Sequence, residues 1–372
     1  MTYLFAAQIV VVTRKGVRLR PTVNDIAREA GVSLATVDRV LNERPGVRDK
    51  TIRAVNDAIN RLGYVRDLAA ANLARSRTYR MAVVLPDVES QFIQTLEEAF
   101  LDAGRVAATS RTEVRLHRFP AEDPHALATL LATLPGRDHA GVALMAPETP
   151  ILRDAVRSLR AKGLPVVALV SDLPNTDRDH FIGIDNRAAG RTAGVLMGRY
   201  LGGGPGQVLV LGQSLLARDT IERRRGFDEV MLRDFPGVEA LQTLETHGSA
   251  IALRHVVREM LANAPGVRGI YAMGGGHRAL TQTLAELGLC GKLTVIAHEL
   301  TPHARAALEA GEISAVITQN LGHLARSTLR VLRAKADRVA FDEGQEQIRI
   351  EIVIRENLPP PPDLAPATTE AA

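Results

Sequence analysis

Residues 33–42, SLATVDRVLN, combine hydroxyl side chains, small apolar side chains and an arginine at helical spacing. The 3.6-residue period places four of them on one exposed face: Leu34, Ala35, Asp38 and Arg39. An exposed arginine can donate two parallel hydrogen bonds to guanine, and small apolar groups can contact a thymine methyl group. Hydroxyl and amide groups suit phosphate contacts, which position without specifying sequence. The predicted DNA contact set is Thr22, Ser33, Leu34, Ala35, Thr36, Arg39 and Asn42.

Three short helical patterns must position this surface. Thr22 can cap the first helix, with Asp25 in the capping-box position, and Gly31 follows its last turn. Ser33 can cap the second helix, and a third pattern runs over about 49–62. The spacing predicts a helix-turn-helix, in which the second helix enters the major groove and the first braces it across the backbone.

Charge is concentrated at the amino-terminal end. Residues 1–80 contain 15 Lys and Arg against 7 Asp and Glu, a net charge of +8, which leaves a net −4 on the remainder. A basic segment on a mildly acidic body is typical of polyanion binding. Two plainer explanations stay open here: a solvated basic surface, or a helical hairpin that merely belongs to a bundle.

The composition indicates a globular chain of two or more domains, because 46% of residues are hydrophobic and 24% are charged. No apolar run reaches the ~20 residues of a membrane span, and the charges after residues 4–12 are in the wrong order for a secretory signal. We expect residues 1–20 to be a disordered extension and the protein to be cytoplasmic. Cys290 is the only cysteine, and we expect no disulfide, metal site or cofactor.

A low-hydrophobicity segment, RDLAAANLARSRTYR, follows the three helices. It favours helix but offers little apolar surface beyond Leu68 and Leu73, so we expect a helix only against a partner. We assign residues 21–66 to the DNA-binding domain and residues 67–79 to a hinge helix and linker.

From Met81 onward, short apolar runs alternate with helical segments of 10 to 16 residues. This alternation predicts an α/β fold with parallel sheets covered by helices on both faces, and the length suits two doubly wound lobes over 80–355. The proline-rich residues 356–372 have little to bury and are expected to be a disordered tail.

Polar side chains follow several of these apolar runs. Ligands of such folds bind at the carboxyl ends of parallel strands, between the lobes. This topology selects Asp87, Gln91, Phe92, Glu148, Ser171, Asp172, His298, Glu299 and Gln319 as candidate ligand contacts. Asp185 and Asn320 could equally cap the helices that begin after them, and both roles stay open.

The head resembles the lactose-repressor family of bacterial transcription regulators over roughly residues 21–78. The match includes T-x-x-D-I-A-x-x-A-G-V-S-x-x-T-V-x-R-V-L-N and the later A-x-x-x-L-G-Y. The resemblance implies that Leu73 is a wedge in the hinge helix, that the chain is a homodimer, and that the two wedges open a palindromic operator in the minor groove. Asp38 departs from the serine of many relatives.

The body resembles periplasmic sugar-binding proteins of the ribose-binding type. The resemblance implies that GIDNRAAGR, with Asp185, is the first crossover between lobes and that Arg223 in ERRRGF is the ligand arginine. Gly275 and Gly276 stand where relatives commonly have Asn-Asp, with Gly275 kept as a candidate effector contact, and Glu299 stands where a ligand-binding Asp is usual. The implied effector is a small polar molecule: a sugar, a polyol or a sugar acid.

These features together predict an effector-controlled transcription regulator that is not an enzyme and binds operator DNA. Two alternatives have different sequence requirements. A plain solute-binding protein has no need of the basic head, and an enzyme on the same fold would use cleft acids such as Glu148, Asp172 and Glu299.

Overall fold

The head contains the three expected helices: α1 (Val23–Ala30), α2 (Leu34–Leu41) and α3 (Asp49–Leu62). The computed structural model describes residues 21–41, 44–64, 78–134 and 139–360. It divides into two compact units, residues 1–77 and 78–372. The predictions for residues 1–20, Asn42, the hinge segment with Leu73, and residues 361–372 lie outside the described residues.

The helices of the head begin and end at the capping residues that the sequence predicted. The Thr22 hydroxyl accepts a hydrogen bond from the Asp25 N–H at 3.4 Å, and the Asp25 carboxylate accepts one from the Thr22 N–H at 2.9 Å. Gly31 ends α1 in the left-handed region at φ 64°. The Ser33 hydroxyl accepts from the Thr36 N–H at 3.2 Å at the start of α2. Among the described residues of this unit, the buried core consists of Ile26, Ala27, Val37, Val55 and Ala58.

The body has two lobes, as expected, each built on a twisted sheet with helices on both faces. The first lobe contains β1 (Tyr79–Asp87), α4 (Gln91–Ala107), β2 (Thr112–Pro120), α5 (Pro124–Ala132), β3 (Gly141–Leu144), α6 (Pro150–Ala161), β4 (Val166–Leu169) and β5 (His180–Ile182). Its strands are all parallel, in the order β2-β1-β3-β4-β5.

The second lobe repeats this arrangement. Its elements are α7 (Asn186–Tyr200), β6 (Gly206–Gly212), α8 (Arg218–Asp234), β7 (Val238–Glu245), α9 (Ala250–Asn263), β8 (Val267–Ala272), α10 (His277–Glu286), β9 (Thr294–His298), α11 (Pro302–Glu309), β10 (Ala315–Gln319) and β11 (Ile350–Val353). The sheet order is β11-β10-β9-β8-β6-β7, and only the edge strand β11 is antiparallel to its neighbour.

The chain passes between the lobes three times. The first crossover, after β5, lies where the family resemblance implied it, and the second follows β10. Helix α12 (Leu321–Asp337) returns to the first lobe, where the Tyr79 hydroxyl donates to the Asp337 carboxylate at 2.7 Å. The third passage, from α12 back to β11, was not predicted, because it has no apolar run of its own.

The carboxyl-terminal limit of the second lobe differs from the expectation of a tail from residue 356. Arg355–Asn357 form a 3-10 turn, and Leu358 packs against the core of the second lobe. The Pro359 carbonyl accepts a hydrogen bond from Arg305. Residues 356–360 therefore belong to the folded body, since Leu358 is partly buried and the Pro359 carbonyl binds Arg305.

Candidate DNA-contacting head and ligand cleft

The face of α2 predicted to read DNA is open to solvent. Leu34, Ala35, Asp38 and Arg39 are all exposed, and Leu34 is 50% accessible despite its apolar side chain. Within residues 21–41 and 44–64, no carboxylate forms an ion pair with Arg39.

The hydroxyl residues of the head lie at helix N-termini. Ser33 and Thr36 share a 2.9 Å contact between their hydroxyl oxygens at the start of α2, and Thr22 lies at the start of α1. Free backbone N–H groups and the helix dipole favour anions at such positions. The acid that departs from the family pattern, Asp38, forms an ion pair with Arg44 at 3.4 Å, which offsets its charge.

A buried polar network occupies the carboxyl ends of the strands in the second lobe. The Arg223 guanidinium donates from Nε to Asn186 Oδ1 at 2.8 Å and from Nη1 to the Met273 carbonyl at 2.8 Å. Its Nη2 donates to Glu299 Oε1 at 3.3 Å. Arg223 is only 2% exposed and Asp219 lies 3.8 Å away, so its charge is directed to protein groups.

Glycines bring Arg223 to this position. A Cβ added at Gly190 of α7 would lie 2.0 Å from the Arg223 carbonyl oxygen, and one at Gly226 of α8 would lie 2.0 Å from the Arg187 carbonyl oxygen. Only hydrogen atoms fit in these gaps, so α7 and α8 pack backbone against backbone. The close packing places Arg223 within reach of Asn186, the first residue of α7.

Glu299 is held in the cleft by both its backbone and its side chain. It follows β9 with φ 68°, in the left-handed region that non-glycine residues rarely adopt. Its Oε1 accepts from Arg223 and, at 3.1 Å, from Gln319 Nε2. Burial raises the pKa of its carboxyl group, against the lowering effect of Arg223. Val170, which follows the corresponding strand β4 of the first lobe, has φ 61° and the same rare conformation.

A cavity of about 230 Å³ lies beside Glu299, between the lobes. The first lobe contributes α4 to its wall, and the second lobe contributes the ends of β9 and β10. The lining residues are Phe92, Thr95, Glu299, Leu300, Thr301, Thr318, Gln319, Asn320, Leu321 and Glu351. Three sequence-predicted contacts, Phe92, Glu299 and Gln319, are thus brought together, and Asn320, for which capping and ligand contact were both left open, lies beside them. Thr95, Thr301 and Thr318 were missed.

The predicted acids of the first lobe are held by arginines. Asp87 accepts from Arg118 at 3.2 Å, and Asp172 accepts two hydrogen bonds from Arg178, one at 2.7 Å. Glu148 lies 3.5 Å from Arg153. None of these three acids is among the residues that line the 230 Å³ cavity.

Two predicted residues instead make hydrogen bonds between the lobes. The Ser171 hydroxyl accepts from the Asp219 N–H at 3.4 Å, and Gln91 Oε1 accepts from the His303 N–H at 3.3 Å. Asn186, which the sequence reading passed over although it directly follows Asp185, makes a third: its Nδ2 donates to the Val170 carbonyl at 3.0 Å.

The remaining candidates cap helices, lie buried below the cleft or face open space. Asp185 Oδ1 caps α7 by accepting from the Ala188 N–H at 2.8 Å, and Asn320 caps α12 in the same way. His298 is fully buried beneath the cleft, with Nε2 2.8 Å from the Tyr271 hydroxyl, and burial lowers its pKa well below the usual value. Gly275 lies in open surroundings, with nothing within 4 Å of an added Cβ.

No set of three or more His, Cys, Asp or Glu side chains converges on a metal position in the described part of the chain. In the same residues, no helix is long and apolar enough to cross a bilayer.

Comparison with family models agrees with both units. A model described as "Periplasmic binding protein domain" matches residues 81–338, and one described as "Bacterial regulatory proteins, lacI family" matches residues 22–67. The chain belongs to the periplasmic binding protein family and carries a lacI-family head.

The relatives to which this chain is similar have the names of regulatory proteins. Catabolite control protein A of Priestia megaterium is 30% identical over 45% of this chain and 48% of its own length. RegA of Clostridium saccharobutylicum, an HTH-type transcriptional regulator, is 40% identical over 23% and 26%. GntR of Pseudomonas aeruginosa, also an HTH-type transcriptional regulator, is 29% identical over 68% and 71%. The matched stretch thus spans about half or less of the first two relatives.

Solved structures support the two-lobed fold of the family. GanP, a glucose-galactose binding protein of Geobacillus stearothermophilus, superposes with a TM-score of 0.67 at 17% identity, over 76% of this chain and 99% of its own. A solute-binding protein of Burkholderia graminis in complex with D-arabinose also has a TM-score of 0.67, at 23% identity, over 75% and 96%.

Proposed function

We propose that the protein is a DNA-binding transcription regulator, acting as a repressor, whose operator affinity is controlled by a small polyhydroxylated effector between its lobes. One observation carries the proposal. A lacI-family head with a solvent-exposed recognition face is joined, in one chain, to a two-lobed binding core with a polar cavity. Such a function requires a cytoplasmic protein, where the DNA is.

On DNA, α2 would lie in the major groove. Arg39 would read a guanine, and Leu34 and Ala35 would contact thymine methyl groups. Thr22, Ser33 and Thr36, which lie at the N-terminal ends of α1 and α2, would contact phosphates. Asn42 as a phosphate contact and Leu73 as a minor-groove wedge complete the proposed interface, in a homodimer on a palindromic operator.

In the core, Phe92, Glu299 and Gln319 would contact the effector directly. Arg223 would hold Glu299 in place, because its guanidinium is already bonded to protein groups. Effector binding would favour one relative orientation of the lobes and so change how the two heads of a dimer meet DNA.

The relatives' names favour this function over the two alternatives, because they are transcriptional regulators rather than transporters or enzymes. Two of the acids considered for acid–base chemistry form ion pairs with arginines. Asp172 pairs with Arg178 and Glu299 pairs with Arg223.

An Arg39→Ala substitution tests the head. Wild-type protein should select a palindromic sequence from a random DNA library, and the variant should bind that DNA about 5- to 150-fold more weakly, the range for one lost base contact of ~1–3 kcal/mol. Anisotropy titrations at fixed salt give the two affinities. Arg61→Ala is the matched control, since Arg61 pairs with Glu29 on another face at 3.5 Å and should matter little. Equal affinities of wild type and Arg39→Ala would contradict the recognition role.

A further inference from the structure

An acid lies on the exposed face of α2 that is proposed to enter the major groove. Asp38 is one helical turn beyond Leu34 and directly precedes Arg39, and its side chain is 52% accessible. A carboxylate on this face would approach the phosphates of DNA, and like charges repel each other. The acid therefore needs a cationic partner on the same face if the face is to bind DNA.

The partner is Arg44, which the loop after α2 places beside Asp38. The Arg44 N–H donates to the Arg39 carbonyl at 2.9 Å, and Arg44 Nη1 lies 3.4 Å from Asp38 Oδ2. Pro45 follows, and a proline disfavours the helical conformation for the residue before it. The position of Arg44 at the end of α2 is thus set by its backbone as well as by the ion pair.

The Arg44 guanidinium has donors left over for a second anion. Within residues 21–41 and 44–64, Asp38 is the only acceptor beside it, and a guanidinium carries more N–H groups than one carboxylate can use. The side chain is 57% accessible, so the remaining N–H groups face solvent. A planar, delocalised cation of this kind can bind a carboxylate along one edge and a phosphate along another.

Stability does not explain this ion pair. Both of its side chains are more than half exposed, and exposed pairs contribute little to the free energy of unfolding because water and salt screen them. Arg61 and Glu29 form a similar surface pair at 3.5 Å on another face of the head. The pair of Asp38 and Arg44 differs in its place, because DNA bound to α2 would displace water from it and bring a polyanion next to it.

We propose that Arg44 binds an operator phosphate while it is paired with Asp38, so that one guanidinium bridges a protein carboxylate and the DNA backbone. Asp38 is the positioning residue of this contact, and the pairing cancels its repulsion of the DNA. The inference rests on the proposed function of the head. It adds a contact at a departure from the family pattern, since many relatives have a neutral serine in place of Asp38.

The location of Arg44 favours a phosphate over a base. Residues at the N-terminal end of a recognition helix contact the base edges. Arg44 lies beyond Leu41, the last residue of α2, and so outside the part of the helix that would meet the bases. The contact should therefore position the head on DNA without specifying sequence.

The salt dependence of binding tests the phosphate contact. Full-length wild type and Arg44→Ala are titrated by anisotropy against the DNA selected from the library and against a scrambled duplex. A neutralised phosphate contributes about 0.9 to the slope of log affinity against log salt concentration, so the slope should fall by about 0.9 for each bound head on both duplexes. Arg44→Lys should keep the wild-type slope, because it keeps the charge.

Neutral phosphates locate the contact. In a series of selected duplexes, one phosphate at a time is replaced by an uncharged methylphosphonate. One replacement in each half-site should weaken binding by wild type and by Arg44→Lys, but not by Arg44→Ala. Arg61→Ala is the matched control, since it breaks an exposed ion pair on another face, and it should respond to every replacement as wild type does.

A double-mutant cycle tests the role of Asp38. In Arg44→Ala the Asp38 carboxylate has lost this cation and faces the phosphate, so the further substitution Asp38→Asn should restore affinity by about threefold or more. With Arg44 present, Asp38→Asn removes a positioning partner whose charge is already compensated, and should not raise affinity. The cycle of Glu29→Gln and Arg61→Ala is the matched control and should show no coupling in DNA affinity.

Three results would overturn the inference. They are an unchanged salt slope in Arg44→Ala, a changed base preference of that variant at one position of the selected sequence, and an equal effect of Asp38→Asn with and without Arg44. Any of them leaves the regulator function standing if the protein still selects one DNA sequence. If it selects none, the regulator function falls, and the scrambled duplex still tests Arg44, because a phosphate contact does not depend on sequence.

Discussion

At the residue scale, two buried histidines of the second lobe are held without charge. His277 opens α10, and burial lowers its pKa to about 4, with His303 adding to the effect and a hydrogen bond to the Gly274 backbone opposing it. His298 is shifted in the same direction by burial, Arg223 and His277. Both rings therefore have a lower pKa in the folded state than in the unfolded chain, and they stay neutral at pH values at which the unfolded chain binds a proton.

This asymmetry predicts loss of stability in mild acid. The unfolded imidazole titrates near 6.5, so the unfolded state binds more protons as the pH falls from 6.5 towards 4. Stability is complete above pH 6.5 and falls below it. Asn at position 277 can keep the hydrogen bond to Gly274 but has no imidazole to titrate. Between pH 7 and pH 5, we expect the free energy of unfolding of His277→Asn to fall by ~2 kcal/mol less than that of wild type.

Urea unfolding followed by circular dichroism at several pH values measures the difference. His255→Asn is the matched control, because His255 is largely exposed beside Glu259. Parallel stability curves for wild type and His277→Asn would show that this ring is protonated in the folded protein.

The sequence predicted which residues lie in the cleft better than it predicted their hydrogen-bond partners. Arg223 was placed in the cleft, but its acceptors come from positions 37, 50 and 76 residues away along the chain. Side chains that meet through tertiary packing leave no local pattern, so the burial of Arg223 could not be read from ERRRGF. The caps of the head were predicted because Thr22 and Asp25 are three residues apart.

At the scale of elements, the seam between α7 and α8 positions the cleft arginine. Glycines 190, 194 and 198 recur every fourth residue on α7, and added Cβ atoms would meet Arg223, Val230 and Phe235 of the α8 segment. The spacing is visible in the sequence as GRTAGVLMG and could have predicted a close helix contact. The strands that escaped prediction did so for the opposite reason: they are half-exposed edge strands and have no continuous apolar run. They are β2, β5, β7 and β11.

A single methyl group should disturb this seam. In Gly190→Ala the new Cβ would overlap the Arg223 carbonyl oxygen, which belongs to the backbone and cannot turn aside. We expect a loss of ~3 kcal/mol or more, the upper part of the range for overpacked cores. Thermal unfolding measures it against Gly275→Ala, where the added methyl group meets open space. Equal stability of the two variants would mean that α7 and α8 can separate without cost.

At the scale of the whole body, the polar network joins the first two passages of the chain between lobes. Asn186 directly follows the first passage, and Gln319 directly precedes the second. Arg223 and Glu299 connect them through hydrogen bonds of 2.8, 3.3 and 3.1 Å. A ligand in the cavity that Glu299 and Gln319 line would thus contact the network that joins the two passages, and this contact could change the relative orientation of the lobes.

Breaking this network at Asn186 should affect coupling more than binding. In Asn186→Ala the Val170 carbonyl and Arg223 Nε each lose a partner, and the direct bond from α7 to the first lobe is gone. Couplings between ligand sites are typically ~1–3 kcal/mol, or 5- to 150-fold. We expect the ratio of operator affinities with and without effector to move towards one, while each ligand alone binds within a few-fold of wild type. Anisotropy titrations with and without effector measure this ratio.

Asn357→Ala, which removes hydrogen bonds within the second lobe only, should leave the ratio unchanged. A wild-type ratio in Asn186→Ala would mean that the lobes communicate without this network, through contacts such as that between Gln91 and His303.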